Sequence, residues 1–378
     1  MILGIDAHKI DTIHPTGTDK VTSYFIKNIS SAISKQFDNI ILYTKKPIPS
    51  DIVTNLPDNI HNKIINLPYF WSSVGLSWQM KFHSPDILFV PSHSLPMITP
   101  KKTAIIIHDI GFLEYPQNYD SKQLIHLQQT TQKDIRTADI IFTPSEFVKK
   151  TLINKYFADP NKIFSVHLGI DKDRFITKHN RAECISILGK YNDLLNTKPY
   201  FFFVGRLDYR KNIINLISAF NQFKDSLSSN HLLVLSGQPG IGYDEVLKTV
   251  SQSKYASDII FTDYINEQDL PTIMSEADIF LFPSLYEGFG LPILEAQASG
   301  TPVITSSVTA MPEIAGKGAL LVDPKNSTEM FKAMRKIIEN HSLRINLIEF
   351  GSKNIINYSW ENFTSTIFKQ LTLLAKKL

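Results

Sequence analysis

The 378-residue chain has a single cysteine, Cys184, which excludes an internal disulfide framework and a cysteine-based zinc site. That usage suits a reducing compartment, so a cytoplasmic location is the expectation. No apolar run approaches membrane-spanning length. The opening residues Met1 to Asp6 (MILGID) lack the basic and apolar regions of a secretory signal and read instead as a short buried strand followed by a turn. A strong charge of either sign is also missing. Lys and Arg number 39 against 36 Asp and Glu, for a formal net charge of +3. The excess lies before Ile170, with 17 basic against 14 acidic residues. It is too small to recruit nucleic acid, and no nucleic-acid partner is expected. A loose attraction to anionic lipid is compatible with it, although a merely soluble surface explains it more simply.

What is present is an ordinary globular composition, 43% hydrophobic and 20% charged, in a chain longer than one hydrophobic core usually supports, so two domains are expected. Short apolar runs alternate with stretches of helical period, the pattern of parallel strands joined by crossover helices. The predicted strands of the first half are Leu3–Asp6, Ile40–Thr44, Ile64–Leu67, Ile87–Val90, Ala104–His108, Ile140–Thr143 and Ile163–His167. Those of the second half are Tyr200–Val204, Leu232–Ser236, Ile259–Thr262, Ile279–Phe282, Val303–Thr305 and Leu320–Val322. The pattern Asp-Ile-x-x-x-Pro-Ser occurs three times, at Asp86–Ser92, Asp139–Ser145 and Asp278–Ser284. Each reads as a buried strand halted by proline at its carboxyl end, the edge at which open α/β sheets bind ligands. The polar, weakly periodic stretch of about 168–197 is taken as linker and hinge. The apolar positions Phe363, Ile367, Leu371 and Leu374 predict a terminal helix within Trp360–Leu378.

Two segments carry the strongest chemical signals. Pro283–Glu295 (PSLYEGFGLPILE) runs from a strand through a glycine-rich turn into a helix with Pro292 near its first position. The backbone N–H groups of Gly288, Phe289, Gly290 and Leu291 can face an anion or sugar hydroxyls, flanked by Glu287 and Glu295. Phe201–Asn212 (FFFVGRLDYRKN) places Arg206, Arg210 and Lys211 at a strand's carboxyl end, before a helix that Asn212 is expected to cap. Three cations at a helix N-terminus oppose its dipole, which favours a bound diphosphate. In the first half, His108 and Asp109 close a buried strand, and Pro15-Thr16-Gly17-Thr18 follows the first strand as a second candidate cradle. The latter lacks the full dinucleotide-binding glycine spacing. The aromatic stretch Tyr69-Phe70-Trp71 through Trp78 to Phe82 could touch a lipid-linked acceptor or a membrane interface, but a buried helix is the better account of it.

The motif PSLYEGFGLPILEA, with Glu287 and Glu295 in it, resembles the signature of retaining GT-B glycosyltransferases of the large fourth family. Gly205-Arg206-Leu207 with Lys211-Asn212, Ser299–Val303, Met311–Ile314 and Gly318–Pro324 follow in the matching order. His108–Pro116 and Thr143–Phe147 are similar to segments of bacterial lipopolysaccharide and polysaccharide members, mannosyltransferases above all. The resemblance implies a GT-B fold: an N-terminal acceptor-side Rossmann-like domain at 1–170, a C-terminal nucleotide-sugar domain at 171–359 facing it across a cleft, and a final helix at 360–378 crossing back. It implies that Arg206 and Lys211 hold the diphosphate, that Glu295 accepts from the ribose, and that Glu287 with the amides of Phe289 to Leu291 holds the donor sugar. His108 would contact that sugar, and Gly17 and Thr18 match the family's first glycine-rich loop, where Asp19 and Lys20 replace an expected glycine. The implied activity is transfer of a hexose from a nucleotide-sugar, GDP-mannose before a UDP-sugar, to a glycan or lipid-linked glycan. No cofactor or metal is expected, since Asp171-Lys172-Asp173, the D-x-D of metal-dependent glycosyltransferases, falls in the linker and suits turn chemistry. A nucleotide-sugar epimerase and a non-catalytic sugar-nucleotide-binding subunit are the alternatives.

Overall fold

A computed structural model describes residues 1–10, 17–49, 52, 54–67, 69–92, 94–176 and 180–377. The chain divides into two compact units. Unit 1 comprises Met1–Ile110, Ser121–Gly169 and Tyr358–Leu378; unit 2 comprises Gly111–Asp120 and Ile170–Asn357.

Unit 1 is built on seven strands: β1 (Ile2–Asp6), β2 (Asn39–Thr44), β3 (Ile60–Ile64), β4 (Ile87–Val90), β5 (Lys102–Ile106), β6 (Ile140–Thr143) and β7 (Ile163–Ser165). Their order is β3-β2-β1-β4-β5-β6-β7, with every pair parallel. Unit 2 carries β8 (Tyr200–Val204), β9 (Leu232–Ser236), β10 (Ile259–Phe261), β11 (Ile279–Phe282), β12 (Val303–Ser306) and β13 (Ala319–Val322). Its order is β10-β9-β8-β11-β12-β13, again parallel throughout. Both sheets are therefore doubly wound, as GT-B requires of its two Rossmann-like halves. The order reverses at β1/β4 in unit 1 and at β8/β11 in unit 2, and such switch points open a crevice at the strands' carboxyl ends.

The repeated Asp-Ile pattern has a structural cause. The backbone N–H groups of Asp86, Asp139 and Asp278 donate to Ile2, Thr103 and Tyr200 at the start of the neighbouring strands. The carboxylates of Asp86 and Asp139 accept in return from the N–H of Ile2 at 2.7 Å and Thr103 at 2.9 Å. The aspartate thus fixes register at one end of a wholly buried strand, and proline releases the chain at the other.

Several expectations need correction. β3 lies at Ile60–Ile64 and not at Ile64–Leu67. It is an edge strand whose exposed, mostly polar sequence IHNKI hides it from a search for apolar runs. β5 ends at Ile106, so His108 stands on the loop beyond it. The stretch expected to be a linker carries the helices Lys172–Ile176 and Arg181–Gly189, the second closed by a capping box between Asn180 and Glu183. Of the aromatic stretch, Trp71 alone is buried; Tyr69, Phe70, Trp78 and Phe82 are exposed, against the buried helix anticipated for them.

The final helix, Trp360–Ala375, belongs to unit 1 and buries Phe363, Ile367, Leu371 and Leu374 as one stripe. Trp360 stacks on Tyr24 of the helix Gly17–Lys27 at 4.8 Å, and Phe25 of that helix meets Phe363 and Phe368. Gly169 makes room for this: a Cβ there would stand 2.3 Å from the backbone nitrogen of Trp360.

Candidate functional site

In unit 2 the loops leaving β8 and β11 meet at the switch point. β8, with the sequence YFFFV, is fixed in the core by Phe201, Phe202 and Phe203, and the chain leaves it at Gly205 with φ +154°. The loop is then braced by the one leaving β9. Leu207 N–H donates to Gln238 at 2.9 Å, Gly240 N–H to Leu207 at 3.0 Å, and Tyr209 N–H to Ile241 at 3.2 Å. Two glycines permit this contact. A Cβ on Gly237, which has φ +138°, would lie 1.9 Å from the Gly205 carbonyl oxygen, and one on Gly240 would lie 2.7 Å from Asp208 Cβ. Asp208 then closes a short 3₁₀ turn by accepting from Lys211 N–H at 3.1 Å.

That turn delivers Lys211 to Glu287. Lys211 Nζ donates to Glu287 Oε1 at 2.5 Å and lies 4.7 Å above the Phe282 ring. Arg210 Nη1 reaches Glu287 Oε2 at 3.3 Å and the Tyr286 carbonyl at 2.9 Å. The three charges are all largely withdrawn from water, with Lys211 and Glu287 buried. Burial alone would raise the Glu287 carboxyl, but the Lys211 and Arg210 cations, together with the hydrogen bond from Lys211, hold it below its ordinary range. Glu287 is thus an ionised acceptor, and it offsets the cations that would otherwise oppose the helix beginning at Ile213. Arg206 is exposed and makes no ion pair among the described residues.

From Glu287 the chain passes through Gly288, Phe289 and Gly290, the last with φ +109°, into the helix Leu291–Ala298. The first N–H groups of that helix have no acceptor inside it. Glu295 is buried one turn further on. Asn212 does not cap as expected. It adopts φ +62°, and its amide ties the carbonyls of Pro283 at 3.0 Å and Pro324 at 2.6 Å, clamping the β8 and β11 loops to each other. Three contributors escaped sequence reasoning: Gly237, Thr309 and Tyr115. Thr309, with φ +60°, accepts from Glu287 N–H at 3.3 Å. Tyr115 lies in the Gly111–Asp120 segment that belongs to unit 2, its ring 6.3 Å from that of Tyr286. The glycine run Ser236-Gly237-Gln238-Pro239-Gly240 at a strand end was the available signal for the first.

In unit 1, His108 is half-buried beyond β5, and its Nε2 lies 2.7 Å from the Pro91 carbonyl at the end of β4. Burial holds its pKa down, against smaller opposing effects of that carbonyl, Asp109 and Asp19. A carbonyl only accepts, so Nε2 carries the proton and Nδ1 of the neutral ring is an acceptor. Sequence reasoning also missed His8, which pairs through Nδ1 with Asp6 Oδ1 at 2.6 Å and stacks on Trp71. Gly17 and Thr18 open the helix Gly17–Lys27. Pro15 and Thr16, the first half of the expected cradle, lie outside the described residues. Asp171 accepts from Arg174 N–H at 3.3 Å, which is turn chemistry, and among the described residues no three His, Cys, Asp or Glu side chains converge as metal ligands would.

The family profile described as Glycosyl transferases group 1 matches residues 190–354, a span that contains the whole unit 2 constellation from Gly205 to Glu295. Over these residues the chain is similar to group 1 glycosyltransferase domains. The O-antigen chain mannosyltransferase B of Escherichia coli is 28% identical over 298 residues, covering 79% of this chain and 77% of the relative. The O-antigen chain mannosyltransferase RfbU of Salmonella typhimurium is 24% identical over 298 residues, 79% of this chain and 76% of that one. Among solved structures, sucrose-phosphate synthase from Thermosynechococcus elongatus superposes over 100% of both chains with a TM-score of 0.76 at 17% identity, a likeness of fold. The span that matches the profile therefore carries, at the unit 2 switch point, a fixed cation, an ionised carboxylate and a helix N-terminus. Those groups suit a ligand that is both polyanionic and rich in hydroxyls.

Proposed function

We propose that the protein is a retaining, metal-independent mannosyltransferase that uses GDP-mannose and extends a glycan or lipid-linked glycan, working in the cytoplasm at the inner face of a membrane. The observation that carries the reading is the Lys211–Glu287–Arg210 cluster at the β8/β11 switch point, with Lys211 and Glu287 buried. The two mannosyltransferase relatives support the choice of sugar.

In this reading Lys211 and Arg206 bind the diphosphate. Glu295 accepts from the ribose hydroxyls. Ionised Glu287 accepts from hydroxyls of the donor sugar, joined by the amides of Phe289, Gly290 and Leu291, and the Nδ1 acceptor of His108 takes a further sugar hydroxyl. The bond from the anomeric carbon to the diphosphate oxygen breaks, the acceptor oxygen bonds to the same face, and the departing phosphate takes the acceptor's proton. Negative charge grows on the diphosphate as this happens, so preorganised cations stabilise the transition state more than the ground state.

The test is transfer from GDP-mannose and from UDP-glucose in excess chelator, with the product anomer read by NMR. Stabilisation and turnover by GDP-mannose, an α product and full activity in chelator are expected. Lys211→Ala should lower kcat by about 10²–10³, the scale of removing a strong oxyanion donor. Activity lost in chelator and restored by Mg²⁺, or a β product, would overturn the mechanism. Turnover of a UDP-sugar alone would replace the donor.

A further inference from the structure

Unit 1 presents an apolar face that is exposed among the described residues. The segment from Trp71 to Phe82 opens with a π-type turn, Trp71–Leu76, and continues as the α-helix Ser77–Phe82. Trp71, Leu76 and Met80 anchor its inner side, and the Trp71 indole donates to the Ile65 carbonyl at 3.0 Å. The outer side should then be polar. It is not: Phe70, Val74, Trp78 and Phe82, spaced four apart, are 77%, 53%, 62% and 52% exposed, and Tyr69 beside them is 78% exposed. Trp78 and Phe82 pack ring against ring at 4.6 Å. Phe70 takes φ +53°, a conformation a bulky L-residue rarely adopts, and presents its ring to solvent there. A second loop widens the face. Ser77 Oγ accepts from Met97 N–H at 2.9 Å and Ile98 N–H at 3.3 Å, which seats two more exposed apolar side chains on the same helix.

The stretch of sequence that carries this face is basic, with its Lys102 paired to Asp139. Between Asp58 and Asp109 the sequence holds Lys63, Lys81, Lys101 and Lys102 and one acid, Asp86. The Asp86 carboxylate is engaged by Ile2 N–H at the start of β4. That stretch alone supplies a net charge equal to the +3 of the whole chain. Lys81 Nζ lies over the Phe82 ring at 5.3 Å, and exposed Lys101 follows the loop that bears Met97 and Ile98.

We infer that this face, Tyr69 to Phe82 with Met97 and Ile98, seats on the surface of an anionic phospholipid bilayer. Tryptophan and tyrosine suit the headgroup level, phenylalanine, valine and methionine the acyl boundary, and lysines the anionic headgroups. The inference deepens the membrane placement proposed above and is independent of donor and acceptor identity.

The experiment floats the full chain with phosphatidylcholine vesicles, with and without phosphatidylglycerol, and compares it with a Trp78→Ser/Phe82→Ser variant and a Lys81→Gln/Lys101→Gln variant. Wild type should float with the anionic vesicles with a blue shift of tryptophan emission. The serine variant should bind about tenfold or more weakly, the loss expected from removing two large apolar anchors, and the glutamine variant should lose the dependence on phosphatidylglycerol. Donor-induced thermal stabilisation should be the same in all three. Equal flotation of the serine variant would overturn the surface while leaving peripheral binding intact. Wild type that stays in solution would overturn both while leaving the transfer reading standing. A dimer in solution that the serine substitutions dissociate, without vesicle binding, would assign the face to a second copy of the chain.

Discussion

The two switch points solve the same geometric problem with different chemistry. At β8/β11 the loops are welded together: Asn212 bridges two carbonyls, Gly237 admits a backbone contact that no side chain would allow, and the buried charges neutralise each other through Glu287. At β1/β4 the groups are histidines, His108 set against the Pro91 carbonyl and His8 against Asp6 and the Trp71 ring. The profile match begins at residue 190 and leaves unit 1 outside it. On the proposed function, the site that binds the diphosphate fixes its residues and the site that reads the acceptor fixes only its scaffold.

The contrast can be broken first at its strongest point. Glu287→Ala removes the one anion between Lys211 and Arg210, and transfer should be nearly abolished. Glu295→Ala should act mainly on nucleotide affinity, because ribose contacts persist through the reaction. Steady-state kcat and KM for both separate these roles, and full kcat in Glu287→Ala would remove that carboxylate from the sugar.

Stability offers a smaller but cleaner comparison. Gly237→Ala forces a Cβ against the Gly205 carbonyl at a left-handed φ and should cost about 3 kcal/mol or more, measured by denaturant unfolding, with loss of donor binding. Gly17→Ala in unit 1 meets nothing within 4 Å and should leave stability within about 0.5 kcal/mol. Lost activity without lost stability in Gly17→Ala would mean that a ligand approaches that backbone.

The smallest effect concerns pH. Burial pushes the Asp134 carboxyl up to about 7, although Lys133 and the Leu95 N–H that donates to it pull the other way. The folded state therefore holds this proton more tightly than the unfolded chain. The associated stability is complete below the ordinary value of 3.8 and is lost as pH rises through about 7. Asp134→Asn should accordingly raise Tm more at pH 8 than at pH 4, and the same gain at both would refute the assignment.

The strand pattern was legible because twelve of the thirteen strands carry their own apolar signal, and β3 was not because an edge strand needs none. The Glu287 and Glu295 turn was legible from glycine and proline chemistry local to it. Thr309 acts on a residue distant in sequence, so no local spacing betrays it, and the glycine run around Gly237 marks a turn without telling which backbone it admits. Asn212 misled for the opposite reason: its position is that of a cap, but its side chain is claimed by carbonyls from two other strands. The aromatic helix from Trp71 shows the limit of periodicity, since apolar residues on both of its sides give no hint which one the core takes.

The docking of the helix Trp360–Ala375 has a consequence for how the protein is made. Thr364 Oγ1 donates to the Phe25 carbonyl across 339 residues of chain, and Phe363 and Phe368 cover the Phe25 ring. As the polypeptide leaves the ribosome, the first unit to emerge lacks this cover until the second has been synthesised entirely. Unit 2 can be assembled while its predecessor still shows a bare aromatic flank. The order of birth and the order of completion are reversed, and the nascent first half is the part that most needs chaperone protection.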